Sequence, residues 1–266
     1  MASEYKDTFR GTAWYYARFR EGFPDELFNM VKRKFDLSKS DRVLDLGCGT
    51  GQIAIPISPF VKEVVAMDQE PEMIAEGKEQ AELNNAQNIV WIEGGSDGLP
   101  DMEDTLGNFK LVTMGNSFHW MNQEKTLDEL HGMITEEGGI VITGNNSIWT
   151  RIPNDWQLAA QGAIKKYLGE ERRAGSGTFK APTRRYEDII KESQFKRMEI
   201  WQHHWTLSSS LDEVIGNLYS TSFVNPYILG DRKEAFEEDL TEALLRVNPS
   251  GMFASEGDLE AILAWK

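Results

Sequence analysis

The chain has 266 residues, with 28 Lys and Arg against 43 Asp and Glu and a formal charge of −15. At about 150 residues per domain, that length suits one large α/β domain carrying an insertion, and 40% hydrophobic residues supply an ordinary core. The acidic balance argues against tracking a phosphate backbone, which needs concentrated Lys and Arg. Residues 1–7 hold no apolar run, no segment approaches 18 apolar residues, and the single cysteine cannot close an internal disulfide. The expectation is a cytoplasmic monomer or homodimer that neither spans a membrane nor binds nucleic acid.

Helical patterning first covers 25–35, with Asp25 as cap. Strands are predicted at 42–46, 63–68, 88–92, 109–114 and 139–143, with helices at 71–84 and 122–134. This alternation implies a parallel sheet with helices on both faces. After Thr143 the rhythm breaks. Trp156, Ala160, Ala163, Ile164 and Tyr167 recur at helical spacing, and 170–178, with Gly175-Ser176-Gly177, reads as a loop. Thr183 is expected to cap a helix through Ser193, followed by strand-like stretches over 195–207. Helices are predicted at 211–221 and 232–246, the latter closed by Asn248-Pro249-Ser250-Gly251, and 259–265 suits a final strand.

The most informative stretch is Val43-Leu44-Asp45-Leu46-Gly47-Cys48-Gly49-Thr50-Gly51. A buried strand runs into glycines at alternate positions, then into a short helix that Pro56 bends or ends. Glycines permit positive φ and close backbone approach to a ligand at the sheet's switch point. The dinucleotide fingerprint requires glycine at position 52, where this chain has Gln52, so a nicotinamide oxidoreductase is disfavoured. Asp68 follows 17 residues past Gly51 and ends the next strand, where a carboxylate accepts hydrogen bonds from ribose hydroxyls. An acid at Asp45 suits a cationic amine. A nucleoside joined to an amino acid, S-adenosylmethionine, fits the glycines and both acids.

These residues resemble motif I of the class I S-adenosylmethionine-dependent methyltransferases. Asp68-Gln69-Glu70-Pro71 resembles the family's acidic strand-end motif, Gly95-Ser96-Asp97-Gly98-Leu99-Pro100 its adenine-contact motif, and Asn116-Ser117-Phe118-His119-Trp120 the element after the fourth strand. A looser likeness, through 219–227 and the lead-in at 15–24, is to the methyltransferase type 11, trans-aconitate methyltransferase-like branch. The lead-in departs from its pattern at Glu21 and Phe23. The resemblance implies a Rossmann-like, mostly parallel seven-stranded sheet with a helical lid inserted late. It implies an N-terminal lid at 1–36, a cofactor-binding core at 37–145 and an acceptor lid with the last strands at 146–266, in one domain. Gly47, Gly49 and Gly51 would surround the methionine part, and Asp45 would orient that loop or its bound water. Asp68 would hold the ribose, Gln69, Ser96 and Asp97 the adenine, while Asn116 or Ser117 would lie near the sulfonium. The product would be S-adenosylhomocysteine.

Methyl transfer is an in-line displacement, so the protein mainly aligns the acceptor and excludes water. His119 is the candidate base, since an imidazole with a pKa of about 6.5 suits proton removal; the alternative is that His119 and Trp120 only wall the pocket. His203 and His204 point to opposite strand faces and cannot easily share a metal, so none is expected. Cys48, between two glycines, is not a nucleophile. Asn225-Pro226-Tyr227 lies far from where the Asn-Pro-Pro-Tyr signature of base-amino methyltransferases belongs. Tyr15, Tyr16, Trp120, Trp149, Trp156, Tyr219 and Phe223 are candidates for an aromatic acceptor chamber, although Trp156 also reads as a buried helical stripe. Ser222 is a further substrate candidate. Arg18, Arg151, Arg184 and Arg185 are candidate carboxylate donors, each equally readable as a solvated charge. The expected acceptor is a small molecule, methylated on oxygen ahead of nitrogen by resemblance. A protein-substrate methyltransferase and a non-catalytic S-adenosylmethionine-binding protein are the alternatives.

Overall fold

The computed structural model describes residues 8–144, 148, 152–174, 177–179 and 183–266, with the side chains of 103–105 excepted. In chain order the first half runs α1 (Ala13–Phe19), α2 (Asp25–Lys34), β1 (Arg42–Leu46), α3 (Ala54–Ile57), β2 (Glu63–Asp68), α4 (Pro71–Leu83), β3 (Ile89–Glu93), α5 (Leu99–Leu106), β4 (Phe109–Gly115), α6 (Gln123–Met133) and β5 (Ile134–Gly144). The second half runs α7 (Asp155–Leu168), β6 (Arg173–Ala174), β7 (Gly177–Thr178), α8 (Tyr186–Glu192), β8 (Arg197–Ser210), α9 (Leu211–Tyr219), α10 (Pro226–Leu229), α11 (Lys233–Val247) and β9 (Met252–Trp265).

Seven strands form one sheet in the order β3-β2-β1-β4-β5-β9-β8. The pairs from β3 through β5 are parallel, and β9 joins β5 antiparallel, with Gly139 opposite Trp265 and Gly144 opposite Glu260. Strand order therefore reverses between β1 and β4, where sheets of this kind bind ligands at the carboxyl ends of their strands. The α/β fold with a mostly parallel seven-stranded sheet agrees with the expectation.

The backbone divides into two compact units built from interleaved segments. One comprises 21–145, 182–203 and 260–266, and the other 1–20, 146–181 and 204–259. In the first, β1 and β4 are apolar runs buried on both faces, as a covered parallel sheet requires. Val43, Leu44 and Leu46 are completely buried, each worth roughly 1.5–3 kcal/mol of hydrophobic stabilisation. In the second, Phe236, Leu240 and Leu244 of α11 close on Val214, Leu218 and Tyr219 of α9 and on Ala160 and Ile164 of α7.

Local chemistry explains where several elements begin, and where the sequence-based boundaries shift. Pro24 occupies the N-cap of α2, so Asp25 opens the helix and complements its dipole instead of capping it. Arg185, not Thr183, precedes α8, because the Arg185 carbonyl accepts the first bond, from Asp188 N–H at 3.1 Å. The third strand starts one residue late: Asn88 is held by its side chain, donating to the Ser58 and Val61 carbonyls. Capping boxes at Asn154 and Ser210 start α7 and α9. The 170–178 loop contains the short β6–β7 hairpin, with Gly175 and Ser176 outside the described residues. The helices α1, α5 and α10 were not anticipated; each has only four to eight residues, too short for periodicity to reveal. No helix among the described residues is long and apolar enough to cross a membrane.

Candidate functional site

The end of β1 turns sharply because all three loop glycines hold positive φ, 71° at Gly47, 55° at Gly49 and 94° at Gly51. Space imposes the same choice. A Cβ on Gly47 would overlap the Ser117 side chain, and one on Gly51 would stand 2.9 Å from Ile55 Cδ1 and 3.0 Å from the Trp91 ring. Gly47 and Cys48 N–H both donate to the Met67 carbonyl, tying the loop to β2 at 2.8 and 3.0 Å.

Asp45 lies beneath this loop, and its carboxylate is engaged by the protein. One oxygen accepts from Ala54 N–H at 3.0 Å and the other from Thr113 Oγ at 2.8 Å, at 1% exposure. Burial pushes its pKa up to about 7, against the downward pull of the two hydrogen bonds and with a further upward push from Asp68. The expectation that Asp45 meets a ligand amine is therefore corrected. It bridges β1, β4 and the start of α3, so its effect on the loop is positional.

Asp68 ends β2 partly buried, accepting from Gly49 N–H at 2.8 Å and Glu70 N–H at 3.0 Å. Burial raises its pKa, opposed by the backbone donors of Glu70, Gly49 and Gln69. Gly94 N–H donates to the Asp68 carbonyl, which brings the β3 end alongside. Exposed Gln69 lies about one methyl contact from Gly95, with a Cβ there 3.9 Å from Gln69 Cβ and Oε1. Ser96 and Asp97 follow in a single 3-10 turn. Asn116 after β4 also has positive φ, 53°, with its N–H on the Thr143 carbonyl at 2.8 Å. Ser117 is buried and donates to the Leu46 carbonyl at 2.7 Å, which places its side chain against Gly47. The sheet thus brings Gly47, Gly49, Gly51, Asp68, Gln69, Ser96, Asp97, Asn116 and Ser117 to the carboxyl ends of β1 to β4.

His119 and Trp120 occupy a 3-10 turn following β4, both half-buried, with rings 4.5 Å apart. Cys48 is buried and its thiol pKa is raised well above the usual value by burial and by the charges of Asp68 and Asp45, in keeping with an inert thiol. His203 stacks on Trp201, and His204 pairs with Asp258 at 3.0 Å. No cluster able to hold a metal ion occurs among the described residues.

The other unit gathers several of the substrate candidates but gives them different work. Tyr219 is 2% exposed, its hydroxyl donates to Glu237 at 2.9 Å, and burial and Glu237 raise its pKa. Tyr15 meets it edge-on at 5.2 Å. Ser222 and Phe223 are buried, and Trp156 donates its indole N–H to the Ala254 carbonyl while packing on Phe253. Tyr219, Ser222 and Phe223, expected at the substrate, are thus buried side chains, and Trp156 packs against the core in line with its reading as a helical stripe. Tyr16 lies under the Arg20 guanidinium, 5.0 Å from its ring centre. Arg18 stacks on exposed Trp14 and donates to its carbonyl, a surface arrangement. Arg184 pairs with Glu124 and Glu192, and Arg185 with Glu187, so neither is a carboxylate clamp. Trp149 and Arg151 lie outside the described residues.

Three features escaped the sequence reading. Trp91 wedges its ring where Cβ atoms on Gly51 and Gly77 would stand; the glycine in mid-α4 was the only trace of it. Thr113 holds Asp45, and Arg172 stacks on Phe179 and Phe223. No local signal marks either.

Residues 43–138 match the family described as a methyltransferase domain. A Dictyostelium discoideum protein named as a methyltransferase is 23% identical over 92% of this chain and 87% of its own length. A 63-residue stretch is 40% identical to a 23S ribosomal RNA methyltransferase of Francisella tularensis, covering 23% of this chain and only 14% of that protein. A type II methyltransferase structure from Anaeromyxobacter dehalogenans superposes with a TM-score of 0.61 at 14% identity, over 93% of this chain and 98% of that one. The chain carries a class I S-adenosylmethionine-dependent methyltransferase domain.

Proposed function

We propose that this S-adenosylmethionine-dependent methyltransferase transfers its methyl group to an oxygen or nitrogen of a small-molecule acceptor, oxygen being favoured. The observation that carries the cofactor assignment is the positive-φ glycine loop beside the partly buried Asp68. The residues fit S-adenosylmethionine: three glycines keep the loop backbone free of Cβ atoms, and a carboxylate ends the next strand. The bound cofactor supplies an electrophilic methyl on sulfur. Gly47, Gly49 and Gly51 would lie along its methionine part, Asp68 on the ribose, Gln69, Ser96 and Asp97 at the adenine, with Asn116 and Ser117 near the sulfur. His119 would accept the proton of a protonated nucleophile, and Trp120 would exclude water. The −15 charge weighs against a nucleic-acid acceptor, and the ribosomal RNA relative matches over too little of its length to transfer its substrate.

Calorimetric titration with S-adenosylmethionine, S-adenosylhomocysteine and NAD tests the cofactor assignment. Binding of both adenosyl ligands and not NAD is expected, and failure of both would overturn it. Asp68→Asn should weaken S-adenosylhomocysteine about 30-fold, as loss of a charge-assisted contact predicts. A labelled-methyl screen of small molecules and of cell protein then separates the acceptor classes, and label found only on protein would refute a small-molecule acceptor. His119→Ala should lower kcat about 100-fold with cofactor affinity nearly intact; unchanged turnover across pH would leave His119 a wall residue.

A further inference from the structure

Trp91 sits in the middle of β3 and pairs with Ala66 of β2. A Cβ on Gly77, in the middle of α4, would stand 2.5 Å from Cζ3 and 2.6 Å from Cη2 of its ring. The same Cβ would be 3.4 Å from the Thr50 carbonyl carbon, and a Cβ on Gly51 would be 3.0 Å from Trp91 Cη2. Helix and loop therefore converge on one ring edge, which fills the space a side chain would need on either. Gly77 lies within a helix and has no positive φ, so its own backbone does not call for glycine. Glycine there costs about 1 kcal/mol against alanine, and the Trp91 ring is the contact that excludes a methyl.

The segments that meet at this ring are those that carry the candidate cofactor contacts. Gly47 and Cys48 N–H on the Met67 carbonyl, and Gly49 N–H on Asp68, hold the near half of the loop to β2. In the far half, Gly51 N–H turns back to the Cys48 carbonyl at 3.0 Å, and Gly51 bears on the ring. The helix begins at Pro71, directly after Asp68 and the Glu70 N–H that Asp68 accepts. Past Trp91, β3 runs to Gly94, whose N–H donates to the Asp68 carbonyl, and on to Ser96. The indole is a stiff plate, and its loss would leave a gap into which loop or helix could shift.

We infer that Trp91 is a positioning residue for the cofactor: its ring sets the spacing between the glycine loop and the Asp68–α4 segment. The cofactor role rests on the reading proposed above; the contact of the ring with loop and helix does not. A ligand with two ends gains affinity from its second end only while both subsites keep a spacing that the ligand spans. Trp91 thus governs whether the amino-acid end and the nucleoside end of one molecule are held together, and a ligand with the nucleoside end alone is indifferent to it.

Calorimetry of the whole protein with S-adenosylhomocysteine and with adenosine tests the assignment. Trp91→Leu should weaken S-adenosylhomocysteine by about tenfold or more and adenosine by less than about threefold, with Trp91→Phe between. Gly77→Ala, which drives a methyl against the ring, should weaken S-adenosylhomocysteine severalfold in the wild-type background. In the Trp91→Leu background the same change should add less than about twofold, because the ring edge it meets is gone. Should Trp91→Leu fail to fold, Trp91→Phe and Gly77→Ala carry the same comparison of ligands. Equal losses for the two ligands, unchanged S-adenosylhomocysteine affinity, or additive effects of the two substitutions would reduce Trp91 to ordinary packing. Amide hydrogen exchange of the ligand-free variants reads the loop directly: residues 48–52 should exchange about tenfold faster while those of β4 keep the wild-type rate. Uniform acceleration, or none, would overturn the inference. Wild-type protein that binds neither ligand would remove the cofactor reading and with it the cofactor role of Trp91, while the exchange pattern still decides whether the ring holds the loop.

Discussion

The glycine-loop end of the sheet and the α1–α9–α11 cluster are built on opposite principles. At the loop the decisive features belong to the backbone: positive φ at Gly47, Gly49 and Gly51, and N–H groups aimed at Met67 and Asp68. In the helical cluster they belong to side chains from distant segments, such as Tyr15 on Tyr219 and Phe19 against Gly216. Backbone constraints leave a short contiguous signature. Packing constraints spread over many residues, each replaceable by something of similar volume.

The largest expected effect follows from breaking the loop. Gly47→Val combines a left-handed backbone with overlap against Ser117 and should cost on the order of 2–5 kcal/mol in chemical denaturation. A loss below about 1 kcal/mol would show that the loop relaxes, and would undercut its claim to rigidity.

Asp45 sharpens the same region through pH. Its folded pKa of about 7 stands above the unfolded value of 3.8. The native state therefore holds a proton that the unfolded chain releases, so this contribution to stability is complete below about pH 4 and is lost as pH rises to about 7. The difference between wild type and Asp45→Asn should change by on the order of 4 kcal/mol across that window. Parallel stability profiles from urea titrations at pH 4, 5.5 and 7 would contradict it.

The smallest effect belongs to the helical cluster. Gly216→Ala gains helix propensity but drives a methyl into the Phe19 ring, for a net loss of about 1–2 kcal/mol. A stabilised variant, read from its thermal midpoint, would mean that Phe19 moves aside and that packing in this unit is softer than at the loop.

The sheet, its order of elements and the strand-end positions of Gly47 to Gly51, Asp68 and Asn116 were legible because hydrophobic periodicity and glycine spacing are local properties. Helices α1 and α10 were not, since seven and four residues carry too few turns to display a period. Asp45 was legible as an acid beside the loop, but its direction was not. That depends on Thr113, which only strand pairing brings beside it. Tyr219 and Arg18 were chosen by type; Tyr219 lies buried, and Arg18 stacks on exposed Trp14 as the solvated charge it was equally readable as.

Sequence alone therefore determined the α/β class, the glycine loop and the carboxylate that follows it, because each is enforced by neighbours along the chain. Tertiary structure alone decided that Asp45 faces inward and that Trp91 fills the space behind Gly51 and Gly77. Those facts are contacts between residues far apart in the chain, and side-chain environment, unlike backbone conformation, has no expression until the chain has closed around it.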